Sequence, residues 1–330
     1  MKNRKKYFKV IGVLCLSALI LAGCADNQSA EEEISLEEGK EAQREESDEK
    51  SEAGSGSISG ETDTEEPAED PATEPETVCV DWSGYFNGLN GTAVVYDASE
   101  GQYTVYNQEL AETRRPPCST FKIISSLIAL ENKIIIPENS TRTWSGEIFW
   151  NEDWNRDINF SEAFRTSCVW YFRQVVDDIG KERMQRELDK LRYGNCDISD
   201  WEGKLNTNNN NRALTGFWIE SSLMISPREQ VEVMERIFGS GSDYSEETRN
   251  ELKKVMRLPE QEKSGISVYG KTGLGVTDGI TVGAWFTGFA ERAEGNVYFC
   301  VRLGRTDGMD VSSTLAKEIA MKIVSDYCMQ

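Results

Sequence analysis

The sequence STFKIISSLIAL, residues 119–130, combines two reactive side chains with a long apolar run. Ser119 and Lys122 are three positions apart, and this spacing places two side chains on one face of a helix, about one turn from each other. The remaining positions are apolar nearly all round, which is typical of a helix buried in a core. The segment therefore predicts a buried helix over 119–132 with a hydroxyl and an amine in its first turn.

That arrangement favours nucleophilic chemistry at Ser119. Exposed N–H groups at a helix N-terminus stabilise the anion that forms when a serine attacks a carbonyl. The alternative is a serine cap followed by a solvated lysine, because the pattern SxxK occurs by chance in many chains. A lysine in a buried helix needs a reason, and this favours the catalytic interpretation of Lys122.

The sequence contains no histidine, which limits how a nucleophile can be activated. A Ser-His-Asp triad and a Cys-His pair are both excluded, so the activating group has to be a lysine, a carboxylate, a tyrosine or a metal ion. No cysteines have the paired short spacing of a zinc site, and we predict no metal.

A second motif, Lys271-Thr272-Gly273, follows a predicted strand. Glycine at such a position allows a ligand to approach the backbone closely. SxxK followed far downstream by KTG is the pattern of penicillin-recognising serine enzymes. The two motifs together, on a helix and on a strand, are much more specific than either one alone.

The distribution of predicted elements indicates an α+β fold. Strands occupy both ends of the folded part and helices lie between them, so we expect an antiparallel sheet flanked by helices, with a helical subdomain. Period-2 patterns predict strands at 92–97, 102–107, 265–271, 281–291 and 296–304. Helical patterns cover 160–166, 169–179, 181–192, 245–258 and 311–327, and residues 226–229 mark the start of a further helix.

Three regions differ in composition. Residues 1–24 resemble a bacterial lipoprotein signal, with a basic start and a short apolar run that ends at Cys24, the expected site of lipidation; a retained membrane anchor is the alternative. Residues 25–78 hold 20 acidic and three basic residues and no aromatic ones, which predicts a solvated linker. Residues 79–330 are the predicted catalytic domain. We therefore expect an extracytoplasmic protein attached to the membrane through lipid.

The predicted domain has 37 acidic and 28 basic residues, a balance that argues against nucleic acid as a partner. Six cysteines remain there, and the sequence does not fix their pairing. Cys79 and Cys328 lie at the two ends and are one possible disulfide. The other four are Cys118, Cys168, Cys196 and Cys300.

The chain resembles the class D β-lactamases from about residue 115 to 304. Residues 119–130 are similar to the active-site helix of that family. Ser167-Cys168-Val169 resembles its SxV motif, Tyr193-Gly194-Asn195 its YGN motif, and Trp218-Ile219-Glu220 its WLE segment. The motifs occur in the family's order, so chance is a poor explanation.

The resemblance implies a catalytic role for five residues. Ser119 would be the nucleophile that opens the β-lactam to an acyl-enzyme. Lys122 would take up CO₂ as a carbamate and act as general base, beside an apolar wall at Val169 and a hydrogen-bond donor at Trp218. Ser167 would relay a proton to the departing ring nitrogen. No other cofactor is implied.

The resemblance also implies a set of substrate-binding residues. Lys271 and Thr272 would bind the substrate carboxylate, and the N–H groups of Ser119 and Leu274 would form the oxyanion hole. The full set is Lys271, Thr272, Gly273, Leu274, Tyr193 and Asn195. An arginine that binds the carboxylate in many class D enzymes has no secure counterpart here.

Two alternatives differ from a hydrolase in turnover. A β-lactam sensor or a penicillin-binding protein would be acylated and would stay acylated. Such proteins generally have asparagine at the third position of the motif that begins at Ser167, so Val169 favours the hydrolase. Cys118 directly precedes Ser119, and Cys168 directly follows Ser167. The two cysteines are either a redox-sensitive pair or, as we favour, two small buried thiols.

Overall fold

The computed structural model describes residues 75–205, 210–258 and 266–329. The predicted signal segment, Cys24, nearly all of the acidic linker and residues 206–209 of the polar run 206–211 lie outside the described residues.

A six-stranded sheet with the order β1-β3-β2-β6-β5-β4 forms the centre of the domain. The strands are β1 (Glu76–Cys79), β2 (Gly91–Asp97), β3 (Gln102–Tyr106), β4 (Ser267–Thr277), β5 (Ile280–Glu291) and β6 (Val297–Gly304). Neighbours β3-β2, β2-β6, β6-β5 and β5-β4 pair antiparallel. The predicted hairpin and the antiparallel arrangement of the last three strands are therefore confirmed.

Nine helices lie in the described part of the chain. They are α1 (Ser83–Phe86), α2 (Gln108–Ala111), α3 (Lys122–Glu131), α4 (Phe160–Arg165), α5 (Val169–Ile179), α6 (Lys181–Leu191), α7 (Pro227–Phe238), α8 (Glu246–Met256) and α9 (Ser313–Cys328). In the sequence, α2 to α8 lie between strands β3 and β4. α7 packs on β2 and β6, whereas α9 packs on the opposite face against β5 and β6. The predicted α+β fold, a sheet flanked by helices with a helical part between its strands, is confirmed.

Strand β1 differs from the sequence prediction in two ways. It pairs parallel with β3, which makes the sheet mixed rather than wholly antiparallel. It begins at Glu76, so the folded part starts at least three residues before position 79. The acidic composition of the preceding residues concealed this strand, which has only four residues and lies at a half-exposed edge.

Two predicted elements have different limits. The helix predicted over 119–132 starts as a 3-10 turn, Cys118–Phe121, before α3. β4 does not end at Lys271 but continues to Thr277, so the KTG motif lies inside an edge strand.

The six cysteines in the described part of the chain are free thiols. A disulfide between Cys79 and Cys328 is therefore not formed. No helix in the described ranges is both long and apolar enough to cross a membrane.

The segment Tyr193-Gly194-Asn195 is bonded to the backbone of residues 222–224. Asn195 N–H donates to the carbonyl of Met224 at 2.9 Å, and the Asn195 amide donates to Ser222 O at 2.9 Å. Gly194 has a φ of +56°, and a Cβ there would lie 2.0 Å from Met224 O. Only glycine therefore permits this close approach.

Gly194→Ala tests the importance of that contact, with Gly101→Ala as the matched control. Gly101 also has a positive φ, +64°, but open space around its Cα. We expect Gly101→Ala to lower the free energy of unfolding by about 1–2 kcal/mol from backbone strain alone. Gly194→Ala should cost about 1–3 kcal/mol more because the methyl group meets backbone. Urea unfolding of both variants measures this, and equal losses would contradict the packing argument.

Candidate active site

A cleft of about 490 Å³ lies between β4 and the helical part of the domain. Six predicted site residues line it: Ser119, Ser167, Val169, Thr272, Gly273 and Leu274. They come from three separate segments of the chain, so the fold brings together what the motifs predicted separately.

The two residues of the SxxK motif lie within hydrogen-bond distance of each other. Lys122 Nζ is 3.0 Å from Ser119 Oγ. The lysine is 1% exposed, and burial lowers its pKa to about 8. A side chain that is normally an ammonium therefore becomes a potential base beside the hydroxyl.

Lys271 and Ser167 form the second pair. Lys271 Nζ donates to Ser167 Oγ at 2.5 Å and to Thr272 O at 3.1 Å. Burial, and next the charge of Lys122, lower the pKa of Lys271 well below its usual value. Lys271 can return a proton to the hydroxyl of Ser167 only as an ammonium, the form that burial disfavours.

Glycine in the KTG motif allows β4 to approach the turn that contains Ser119. A Cβ on Gly273 would lie 3.0 Å from both Pro117 O and Thr120 Cγ2. The sequence assigned this glycine to the approach of a ligand; in the structure the segment 117–120 fills that space. The close contact fixes the distance between the turn that contains Ser119 and the strand.

Val169 and Trp218 occupy different positions relative to the cleft. Val169, the first residue of α5, lines it as an apolar wall. Trp218 is 1% exposed and stacks on Phe121 with 5.7 Å between ring centroids. Its neighbour Ile219 is the residue of that motif that lines the cleft.

Tyr193 and Asn195, which the sequence placed among the substrate-binding residues, lie outside the residues that line the cleft. Tyr193 is fully buried and packs edge-on against Phe121 at 5.7 Å. Asn195 bonds to residues 222–224, as described above. Both residues therefore support the site from outside the cleft and do not line it.

Sequence reasoning left the apolar part of the cleft undecided. Trp150 and Trp154 line it, with 5.0 Å between their ring centroids, and Trp150 is 79% exposed. Trp201 instead stacks on Phe217 at 5.2 Å. Further lining residues are Leu214, Ile219 and Val276. The cluster of tryptophans in 144–154 was the available signal, but it did not say which of them face the cleft.

No arginine is present among the described residues that line the cleft. Arg302, on β6, is 5% exposed, and its guanidinium lies 5.3 Å from the Trp285 ring centroid. Ser313, the first residue of α9, lines the cleft instead.

The thiols of Cys118 and Cys168 are both buried. Burial raises the pKa of Cys168 to about 11 and that of Cys118 well above its usual value. Because the thiolate is the reactive form, these environments favour two unreactive thiols over a redox-sensitive pair.

The chain matches the model of the penicillin-binding protein transpeptidase domain over residues 91–325. A probable β-lactamase, YbxI of Bacillus subtilis, is 34% identical over 242 residues, which cover 73% of this chain and 82% of that protein. The regulatory protein BlaR1 of Bacillus licheniformis is 31% identical over 246 residues, 74% of this chain but 38% of that protein.

The solved structures that resemble this chain also include both a penicillin receptor and a β-lactamase. The C-terminal domain of the Bacillus licheniformis BlaR penicillin-receptor has a TM-score of 0.66 and 29% identity, covering 76% of this chain and 96% of that one. A class D β-lactamase from Bacillus subtilis has a TM-score of 0.65 and 32% identity, covering 75% and 95%. The chain belongs to the penicillin-binding transpeptidase-domain family. Within it, the relatives are class D β-lactamases and penicillin sensors.

The lowered pKa of Lys122 predicts how labelling by penicillin depends on pH. Below about 8 the amine holds its own proton, and above about 8 it is free to accept the proton of Ser119. In buffer depleted of CO₂, the rate of labelling should rise with a midpoint near 8. Lys122→Ala should lose this midpoint. A rate that rises only near 10.5, the value of an ordinary lysine, would contradict the assignment.

Proposed function

We propose that this protein hydrolyses β-lactam antibiotics through an acyl-enzyme on Ser119, with Lys122 as the general base. The observation that supports this most directly is the buried amine of Lys122, 3.0 Å from the Ser119 hydroxyl. The base takes the hydroxyl proton while Oγ forms a bond to the lactam carbonyl carbon. The C–N bond of the ring then breaks, and Ser167 gives its proton to the ring nitrogen.

We also propose that Lys122 takes up CO₂ as a carbamate, which would supply a stronger base for water in the second step. Among the described residues, Ser119 is the hydrogen-bond partner of Lys122, whereas an ammonium has three donors to satisfy. A neutral amine suits this site better, and CO₂ adds only to a neutral amine. The charge of Lys122 also disfavours the ammonium of Lys271, so a negative group at Lys122 would relieve the repulsion.

The substrate would lie with its carboxylate near Lys271 and Thr272, and its side chain along the apolar part of the cleft. The N–H groups of Ser119 and Leu274 remain the proposed oxyanion hole, since both residues line the same cleft. The proposal extends to location: an exported protein attached to the membrane by lipid at Cys24.

A penicillin sensor is the second candidate, because the chain resembles the BlaR penicillin-receptor domain and the β-lactamases to a similar degree. Both classes would form the acyl-enzyme, and they differ in whether water then releases it. Val169 supports the hydrolase, because it lines the cleft as an apolar residue where sensors and penicillin-binding proteins generally have asparagine.

Turnover of a chromogenic cephalosporin by the purified protein, with and without added bicarbonate, separates the two candidates. We expect sustained turnover that rises with bicarbonate. Ser119→Ala should abolish covalent labelling by penicillin. Lys122→Ala should leave slow labelling but reduce hydrolysis by about 10²–10⁴, the usual contribution of a general base.

Lys254→Ala is the matched control, because Lys254 is an exposed lysine on α8. It should react like the unsubstituted protein. A single stoichiometric burst that then stops would assign the protein to the sensors. The absence of any labelling would refute the acyl-enzyme itself.

A further inference from the structure

A polar cluster lies on the side of the Ser119 turn that faces the sheet. The Cys118 thiol donates to Glu220 Oε1, with 3.3 Å between sulfur and oxygen. The Cys118 N–H donates to Trp218 O at 3.0 Å. Cys118 and Glu220 have φ values of +50° and +46°, a backbone conformation that residues other than glycine rarely adopt. The hydrogen bond therefore joins two strained residues. Cys118 lies directly before Ser119, and Glu220 lies two positions after Trp218.

The sheet leaves room for this cluster through a row of three glycines in register. Gly275 pairs with Gly283, and Gly283 pairs with Gly304. A Cβ on Gly275 would lie 2.0 Å from Glu220 Oε1, so the carboxylate rests directly on the backbone of β4. A Cβ on Gly283 would lie 3.3 Å from Arg302 Nη2. The glycine row therefore makes space for two opposite charges on one face of the sheet.

Arg302 supplies the positive charge. The side chain is 5% exposed, packs over the Trp285 ring at 5.3 Å, and its Nε has no hydrogen-bond partner among the described residues. Burial, followed by the charge of Arg115, lowers the pKa of Arg302 to about 10, so it stays charged at neutral pH. Glu220 is among the groups that act against this lowering. The guanidinium of Arg302 thus lies on the same face of the sheet as the Glu220 side chain.

We propose that Glu220, with its charge balanced by Arg302, is a positioning residue that fixes the left-handed turn at Cys118 and thereby the orientation of the Ser119 hydroxyl. Its carboxylate accepts the Cys118 thiol proton in a charge-assisted hydrogen bond, which is stronger than one between neutral groups. The inference rests on the proposed function only in taking Ser119 as the nucleophile.

Acylation by a fluorescent penicillin tests the proposal in the full protein. Cys118→Ala removes the donor, Glu220→Gln removes the charge of the acceptor at equal shape, and Arg302→Met removes the balancing charge. Each should lower the first-order acylation rate constant by about fivefold, the rate equivalent of one ordinary hydrogen bond. The apparent Kd for penicillin should stay unchanged, because these residues act on the hydroxyl and not on the ligand.

Rescue and coupling distinguish positioning from a purely structural role. Cys118→Ser keeps a donor and should restore most of the rate. The double variant Cys118→Ala/Glu220→Gln should be no slower than the slower single variant, because both remove the same interaction. Arg305→Met, at an exposed arginine after β6, is the control and should leave the rate unchanged. Unaltered acylation in all three single variants, with only lower thermal stability, would overturn the proposal.

A second measurement keeps the proposal separate from the proposed function. Burial, and next the carboxylate of Glu220, raise the pKa of the Cys118 thiol. Glu220→Gln removes the second cause and should speed alkylation of Cys118 by a small thiol reagent, located by peptide mass spectrometry. This outcome does not require a reaction with penicillin. If the protein is not labelled by penicillin but alkylation speeds up, the proposed function fails and the contact stands. Unchanged alkylation would refute the contact itself.

Discussion

The burial of the Lys122 amine beside the Ser119 hydroxyl is the constraint on which the site depends. The core around α3 removes water from Lys122, and the lost hydration lowers its pKa to about 8. The same burial leaves the amine with Ser119 as its hydrogen-bond partner among the described residues. A chain without histidine thus obtains a base near neutral pH from a lysine, through desolvation rather than through a charged neighbour.

The sheet fixes this pair in space because β4 approaches the Ser119 turn closely. Gly273 allows the strand to contact Pro117 and Thr120, and Gly275 allows it to contact Glu220. These contacts join the turn that contains Ser119 to the strand that bears Lys271, whose amine donates a hydrogen bond to Ser167. The two hydroxyl–amine pairs are therefore held by one edge strand, and an added methyl group at either glycine would move both.

The sequence predicted the parts of this site that are local and not the parts that depend on distant contacts. The spacing of Ser119 and Lys122 implied their contact, because a helical turn sets it. The structure places Ser167 and Thr272 in the cleft and Tyr193 and Asn195 outside its lining, a distinction that the motifs alone do not make, since a motif does not reveal which side of the backbone faces the substrate. The fold class followed from the order of elements. Strand β1 was missed because four residues beside an acidic run have too little apolar pattern.

The chemical state of Lys122 is the most direct test of this account. Carbon-13 NMR of the purified protein in labelled bicarbonate would detect a carbamate carbon bound to a lysine. The account predicts one such signal, lost in Lys122→Ala and retained in Lys254→Ala. Its absence at saturating bicarbonate, with Lys122 titrating as an ordinary exposed lysine, would contradict the claim that burial converts this side chain into the base.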